Sequence, residues 1–163
     1  MDVVIRPAVA ADHAAVGELC VAAYGPFAAA DVDDYAGVLR DVAPRAAAAE
    51  LIVAVDRERG ALIGTVTFVP DGGPLGEIAR PDEAEFRMLA VDPAVHGRGV
   101  GTALLRHVID ESRRRGKRGV VCSSQREMRA AHRIYERLGF SRDPTRDWSP
   151  DPGVDLIAFA IVF

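Results

Sequence analysis

Between Glu85 and Leu105 the chain reads Glu-Phe-Arg-Met-Leu-Ala-Val-Asp-Pro-Ala-Val-His-Gly-Arg-Gly-Val-Gly-Thr-Ala-Leu-Leu. Three glycines, at 97, 99 and 101, stand between a strand-like segment and an apolar-periodic run, an order suited to holding an anion. The first turn of a helix has backbone N–H groups without intrahelical partners, and it carries the positive end of the helix dipole. Glycines let that backbone approach a phosphate closely, and Arg98 adds a formal charge. A pyrophosphate is the ligand that such a turn suits. Two nucleotide loops are excluded by spacing. The P-loop requires a Lys-Ser or Lys-Thr pair after its last glycine, whereas Gly101 is followed directly by Thr102 with no lysine nearby. A dinucleotide fingerprint beginning at Gly97 needs glycine at 102 and an acidic residue ending the next strand, Gly119 to Cys122; neither is present.

The elements that must position this turn can be read from periodicity. Glu85 to Val91 reads as a strand with Phe86, Met88 and Ala90 on one face and Arg87, Leu89 and Val91 on the other, stopped by Asp92-Pro93. Apolar bulk on both faces marks it as an internal strand. After the glycines, Val100, Leu104, Leu105, Val108 and Ile109 form the buried stripe of a helix that runs through Arg113, Arg114 and Arg115 to Gly116. The Gly119 to Cys122 strand follows a crossover helix and should therefore lie parallel to the central strand. Ser124-Gln-Arg-Glu127 has the pattern of a capping box. The helix it would start, Gln125 to Leu138, buries Met128, Ala131, Ile134, Tyr135 and Leu138 before Gly139-Phe140.

Upstream, Val3 to Arg6 is a strand candidate, and Asp12 is an N-cap candidate for a helix with Val16, Leu19, Cys20, Ala23 and Tyr24 on one stripe. A second helix carries Tyr35, Val38, Leu39 and Val42 and is expected to close at Pro44. Asp31, Asp33 and Asp34 gather at its start, where acids offset the dipole or form a rim that attracts a cationic amine. Leu51 to Val55 and Ala61 to Val69 read as a hairpin turning at Gly60, and residues 71 to 82 as a loop. Leu156 to Phe163 is an apolar closing strand.

With 163 residues the chain has the length of a single domain, residues 1–163. A net charge of −4 argues against general nucleic-acid binding. Cys20 and Cys122 lie in apolar segments without metal or pairing spacing, so free buried thiols and no metal site are expected. No apolar run approaches membrane-spanning length, and the N-terminal residues lack a signal-peptide pattern; a soluble, cytoplasmic protein is the expectation.

The turn resembles the coenzyme A loop of the GCN5-related N-acetyltransferase (GNAT) family, which reads Gln or Arg, two residues, Gly, one residue, then Gly or Ala. His96, Gly99 and Gly101 fall on those positions, with His96 departing from the usual Gln or Arg. The later segment is similar to the family's second signature, Asn, two residues, Ala, two residues, an aliphatic residue and Tyr, then Leu-Gly-Phe. Ala131, Ile134, Tyr135, Leu138, Gly139 and Phe140 match it, and Met128 stands where asparagine is usual, leaving Ser123, Ser124 or backbone to replace that amide. The two signatures are separated as in the family, and the resemblance covers nearly the whole chain.

What the resemblance implies is an α/β fold with a mixed, mostly antiparallel sheet, flanked by helices and containing a splayed parallel pair that admits the pantetheine arm. It implies acetyl-CoA as cosubstrate, with Leu89, Ala90 and Val91 facing the acetyl and pantetheine portion. His96, Gly97, Arg98, Gly99, Val100, Gly101 and Thr102 would surround the pyrophosphate. The reaction needs a neutral amine and a proton for the departing thiolate. An alkyl ammonium has a pKa of ~10, so a base must act on it, and Glu85 at the start of the central strand is the first candidate. Tyr135 is the candidate acid by the resemblance; the alternative for it is a core tyrosine. His96 and His132 are expected to be structural or solvent-facing. Acetyl transfer to a primary amine of a small molecule is the leading expectation. Acetylation of a protein N-terminus or lysine, and a non-catalytic acyl-CoA sensor, are the alternatives. The closing strand could contribute to a homodimer sheet.

Overall fold

The computed structural model describes residues 1–27 and 32–163; Val32, Asp33 and Asp34 are described in backbone only. Of the expected acidic rim, Asp31 therefore lies outside the described residues.

Eight strands form one sheet: β1 (Val3–Pro7), β2 (Glu50–Asp56), β3 (Ala61–Val69), β4 (Glu83–Val91), β5 (Gly119–Gln125), β6 (Ser141–Arg142), β7 (Trp148–Asp151) and β8 (Val154–Val162). The order is β1-β2-β3-β4-β5-β8-β6, with β7 also on β8. All pairings are antiparallel except β4 with β5. This is the mixed sheet expected, and the parallel pair is where expected.

Helices cover both faces. On one side α4 (Val100–Arg114) and α5 (Arg129–Arg137) pack over a cluster that includes Ile52, Ala54, Phe68, Phe86, Leu104, Val108 and Phe159. On the other side α1 (His13–Tyr24), α2 (Val32–Arg40) and α3 (Val42–Ala48) enclose Val16, Leu19, Cys20, Leu39, Leu51 and Val53. Strand β2 feeds both clusters alternately, which is why it reads as a continuous apolar run. Among the described residues, no helix is long and apolar enough to cross a membrane.

Three local expectations are corrected. The second helix does not run through Val42 to close at Pro44. It ends at Arg40, and α3 begins at Val42 with Pro44 in its first turn, where a missing N–H costs nothing. The buried Arg45 guanidinium donates to the carbonyls of Val38 and Leu39, both at 2.9 Å, and so caps α2 from the next helix.

The capping box at Ser124 does not form. Ser124 and Gln125 continue β5, paired with Ile157 and Leu156 of β8, and α5 starts only at Arg129. Ladder hydrogen bonds to β8 outcompete a local cap, and the Ser124 side chain turns to His132 instead, Oγ to Nε2 at 3.0 Å.

The central strand does not alternate uniformly. Phe86 and Leu89 pack in the α4/α5 cluster, whereas Met88 and Ala90 pack with the α1 side. The register with β3 runs from Thr67 opposite Arg87 to Thr65 opposite Ala90, so β4 holds one extra residue there. That bulge reverses the faces beyond it. Met88 sits at φ 54°, the one non-glycine residue of positive φ among those described.

Candidate active site

The parallel pairing of β4 with β5 covers only Glu83 to Glu85 against Gly119 to Val121. Beyond it β4 stays with β3 while β5 continues on β8, so a gap opens between Phe86–Leu89 and Ser123–Gln125. Leu89, Ser123, Ser124, Met128 and Tyr135 line this cleft together with Tyr24, Tyr35, Glu77 and Arg87. The bulge shapes its wall, because Met88 and Leu89 have no partner residues on β3. A left-handed non-glycine residue costs about 1–3 kcal/mol and persists where surrounding structure imposes it. Here the Tyr24 hydroxyl donates to the Leu89 carbonyl at 3.0 Å, fixing the bulged backbone from α1.

Strand β4 passes through Val91 and a turn at Pro93–Val95 into the glycine segment. Gly97 and Gly99 have φ of 78° and 82°, and a Cβ at either would meet no atom of the described residues within 4 Å beyond its chain neighbours. Their left-handed backbone and the open space beside them fit a phosphate cradle. Ala103 N–H is satisfied by the Gly99 carbonyl at 2.9 Å, which leaves the N–H groups of Val100, Gly101 and Thr102 as the first turn of α4, without partners among the described residues. His96 and Arg98 are exposed beside them. Gly101 has a different reason to be glycine. A Cβ there would stand 2.9 Å from Ile134 Cδ1 and 3.5 Å from Val91 Cγ2, so it lets α4 and α5 close on each other at the head of β4.

Tyr135 is 5 % exposed and held by edge contacts with Phe86 and Phe159, at 5.7 and 5.3 Å between ring centres. Burial pushes its phenol well above the ordinary value, Cys122 and Tyr24 add to the rise, and the nearby Ser124 opposes it. A phenol raised in this way is fully protonated at neutral pH and so is present as a proton donor. His132 stands beside it, its ring centre 5.9 Å away, and burial lowers the imidazole. Spacing did not connect this histidine to anything; the fold brings it to Ser124.

Glu85 is 1 % exposed and does not line the cleft. Its Oε1 accepts the backbone N–H groups of Glu77, Ile78 and Ala79 at 3.0, 3.1 and 3.0 Å, and its Oε2 is buried without a protein partner among the described residues. Glu77, which sequence reasoning missed, does line the cleft and pairs with Arg87 at 3.0 Å. No local pattern marks it, since a loop between β3 and β4 delivers it. Tyr24 was visible only as the last apolar position of a helix. Among the described residues no three metal-ligating side chains gather.

A sheet parted between two parallel strands, with a glycine turn opening the helix that follows the first of them, defines an acyl-coenzyme A binding architecture of the α/β class. The chain belongs to the acetyltransferase (GNAT) family, whose sequence profile matches residues 16–140. It is 35% identical over 75 residues to an uncharacterized N-acetyltransferase of Methanocaldococcus jannaschii, covering 45% of this chain and 33% of that protein. It is 40% identical over 65 residues to the [ribosomal protein bS18]-alanine N-acetyltransferase of Escherichia coli K12, 40% of this chain and 44% of that enzyme. The chain thus spans less than half the length of either curated relative. The fold matches that of the PaiA N-acetyltransferase of Thermoplasma acidophilum, solved in complex with coenzyme A, with TM-score 0.78 at 15% identity over 100% of both chains.

Proposed function

We propose that this protein transfers the acetyl group of acetyl-CoA to a primary amine of a small molecule. The observation that carries this reading is the placement of the Tyr135 phenol on the wall of the gap between β4 and β5, in one cleft with the backbone of the bulged strand at Leu89. The N–H groups of Val100, Gly101 and Thr102, with Gly97 and Gly99 left open, would hold the pyrophosphate, and Arg98 and His96 would flank it. Leu89, Ala90 and Val91 would run beside the pantetheine, taking the place of a strand in the parted sheet. Ser123 and Ser124 would supply the polar contact that Met128 does not. As the amine nitrogen bonds to the acetyl carbon and the C–S bond breaks, Tyr135 gives its proton to the sulfur. Glu85, the base expected from its place on the strand, would act on the amine only through groups in front of it, because it stands behind the cleft wall.

A second acceptor class has one specific observation in its favour: the likeness of 65 residues to a [ribosomal protein bS18]-alanine N-acetyltransferase. Release of CoA thiol from acetyl-CoA across a panel of small amines and an alanine-starting peptide separates the readings. Amine-dependent release with small amines is the expected result. Release with the peptide alone would transfer the activity to protein N-termini, and acetyl-CoA binding without release would make the protein a sensor.

A further inference from the structure

The loop between β3 and β4 enters the cleft wall through a buried carboxylate. Glu85 collects three successive amide N–H groups, from Glu77, Ile78 and Ala79, on one oxygen. This is a charge-assisted clamp on a loop that has no strand or helix of its own. The clamp sets the backbone of Glu77, and the Glu77 side chain, 17 % exposed, lies along the cleft against Arg87. We propose that Glu77 receives the ammonium of the acceptor and takes its proton, that Glu85 is the positioning residue behind it, and that the acceptor is an amphipathic primary amine with no acid group beside its nitrogen. The inference rests on the acetyl-transfer reading above.

Four features support it. Glu77 shares one cleft with Leu89 and Tyr135, so a nitrogen held there lies in the same space as the bulged strand and the phenol. Among the described residues the charged groups that face Glu77 are Arg87 and Glu85, both on β4; two acids against one guanidinium favour a cation and disfavour a second carboxylate. Burial raises the Glu77 carboxyl, Arg87 opposes that rise and Glu85 adds to it, which makes Glu77 a stronger base than a free glutamate. Tyr24, Tyr35 and Met88 provide an apolar and aromatic wall for the body of the amine.

The protons balance. Of the three on the ammonium, one stays on the amide. One passes to Glu77 and on to water at the cleft mouth. The third leaves as the N–C bond forms, and through solvent it replaces the one that Tyr135 gives to the sulfur.

The test compares wild type with Glu77→Gln, using 2-phenylethylamine and phenylalanine as acceptors and calorimetry of CoA binding as the control for folding. Wild type should turn over 2-phenylethylamine at least ~10-fold more efficiently than phenylalanine. Glu77→Gln should keep CoA affinity and lose ~10²-fold in kcat/KM at pH 7.5, the scale of a positioned base. The loss should narrow at pH 9.5, where more of the amine is neutral without help. Glu77→Asp should recover part of the rate. Equal rates for wild type and Glu77→Gln would overturn the assignment of Glu77 while leaving acetyl transfer intact. A wild-type preference for phenylalanine would overturn the acceptor class. Absence of amine-dependent turnover by wild type would overturn the reaction itself.

Discussion

The carboxylate of Glu85 accepts the backbone amide of Glu77 at 3.0 Å, so a residue of the central strand fixes a loop residue eight positions upstream. Glu85→Ala removes the acceptor of three amides at once and leaves them without partners. Each such loss costs roughly 1–3 kcal/mol when the group is buried, and these amides are partly buried, so a total destabilisation of about 2–4 kcal/mol is expected in urea unfolding. Proteolysis between 72 and 80 should accelerate in the same variant. Unchanged unfolding and cleavage would show that the loop is held by other contacts.

Gly99 and Gly101 should fail in different ways when replaced by valine. At Gly99 the backbone φ is 82° and the neighbouring space is open, so valine obstructs the phosphate cradle and strains one turn. CoA affinity should fall by more than ~10²-fold, with a small change in Tm. At Gly101 a side chain meets Ile134 of α5, so the variant should lose stability by about 1–3 kcal/mol, the scale of overpacking. Calorimetry and thermal unfolding of both proteins separate the two effects.

Much of this site was legible before the fold was known. The glycine turn and the α4 stripe are local patterns, and Val100, Leu104, Leu105, Val108 and Ile109 are all buried as the 3.6-residue period requires. What was not legible depends on partners distant in sequence. The bulge at Met88 exists only as a mismatch between β3 and β4, so alternation read along β4 alone misassigns Met88 and Leu89. Ser124 carries a helix-capping pattern, yet its backbone belongs to the β8 ladder. Glu77 lies in a loop without periodicity, and its position is decided by Glu85 and Arg87.

Arg146 and Glu83 join the loop before β7 to the start of β4 by two hydrogen bonds, 2.6 and 2.9 Å, with side chains 11 and 8 % exposed. Burial pushes the Glu83 carboxyl up, but the Arg146 guanidinium and the Arg80 amide outweigh it and hold the carboxyl below its ordinary 4.5. A folded-state pKa below the unfolded one contributes stability that is fully present above the unfolded value and is lost as pH falls through the folded one. Arg146→Met leaves the acid unpaired and should destabilise by about 3 kcal/mol at pH 7. That deficit should shrink below about pH 4.5 as Glu83 protonates. A pH-independent deficit would contradict the pairing.

Cys20 and Cys122 are both buried free thiols. Burial raises each, with Arg45 opposing at Cys20 and Glu85 adding to the rise at Cys122. Thiol-specific disulfide reagents should therefore titrate no cysteine in the native protein at pH 7.5 and two after denaturation. Rapid native reaction would mean that the apolar clusters holding them open.

Tyr135 distinguishes a transferase from a protein that only holds acetyl-CoA. Its ring is fixed by Phe86, Phe140 and Phe159, so Tyr135→Phe should fold and bind CoA as wild type does. The decisive measurement is the single-turnover rate of acetyl transfer from bound acetyl-CoA to an amine that wild type accepts, wild type against Tyr135→Phe, so that product release does not mask chemistry. The account predicts a loss of ~10²-fold or more with CoA affinity unchanged. Equal single-turnover rates would contradict it and return Tyr135 to the core.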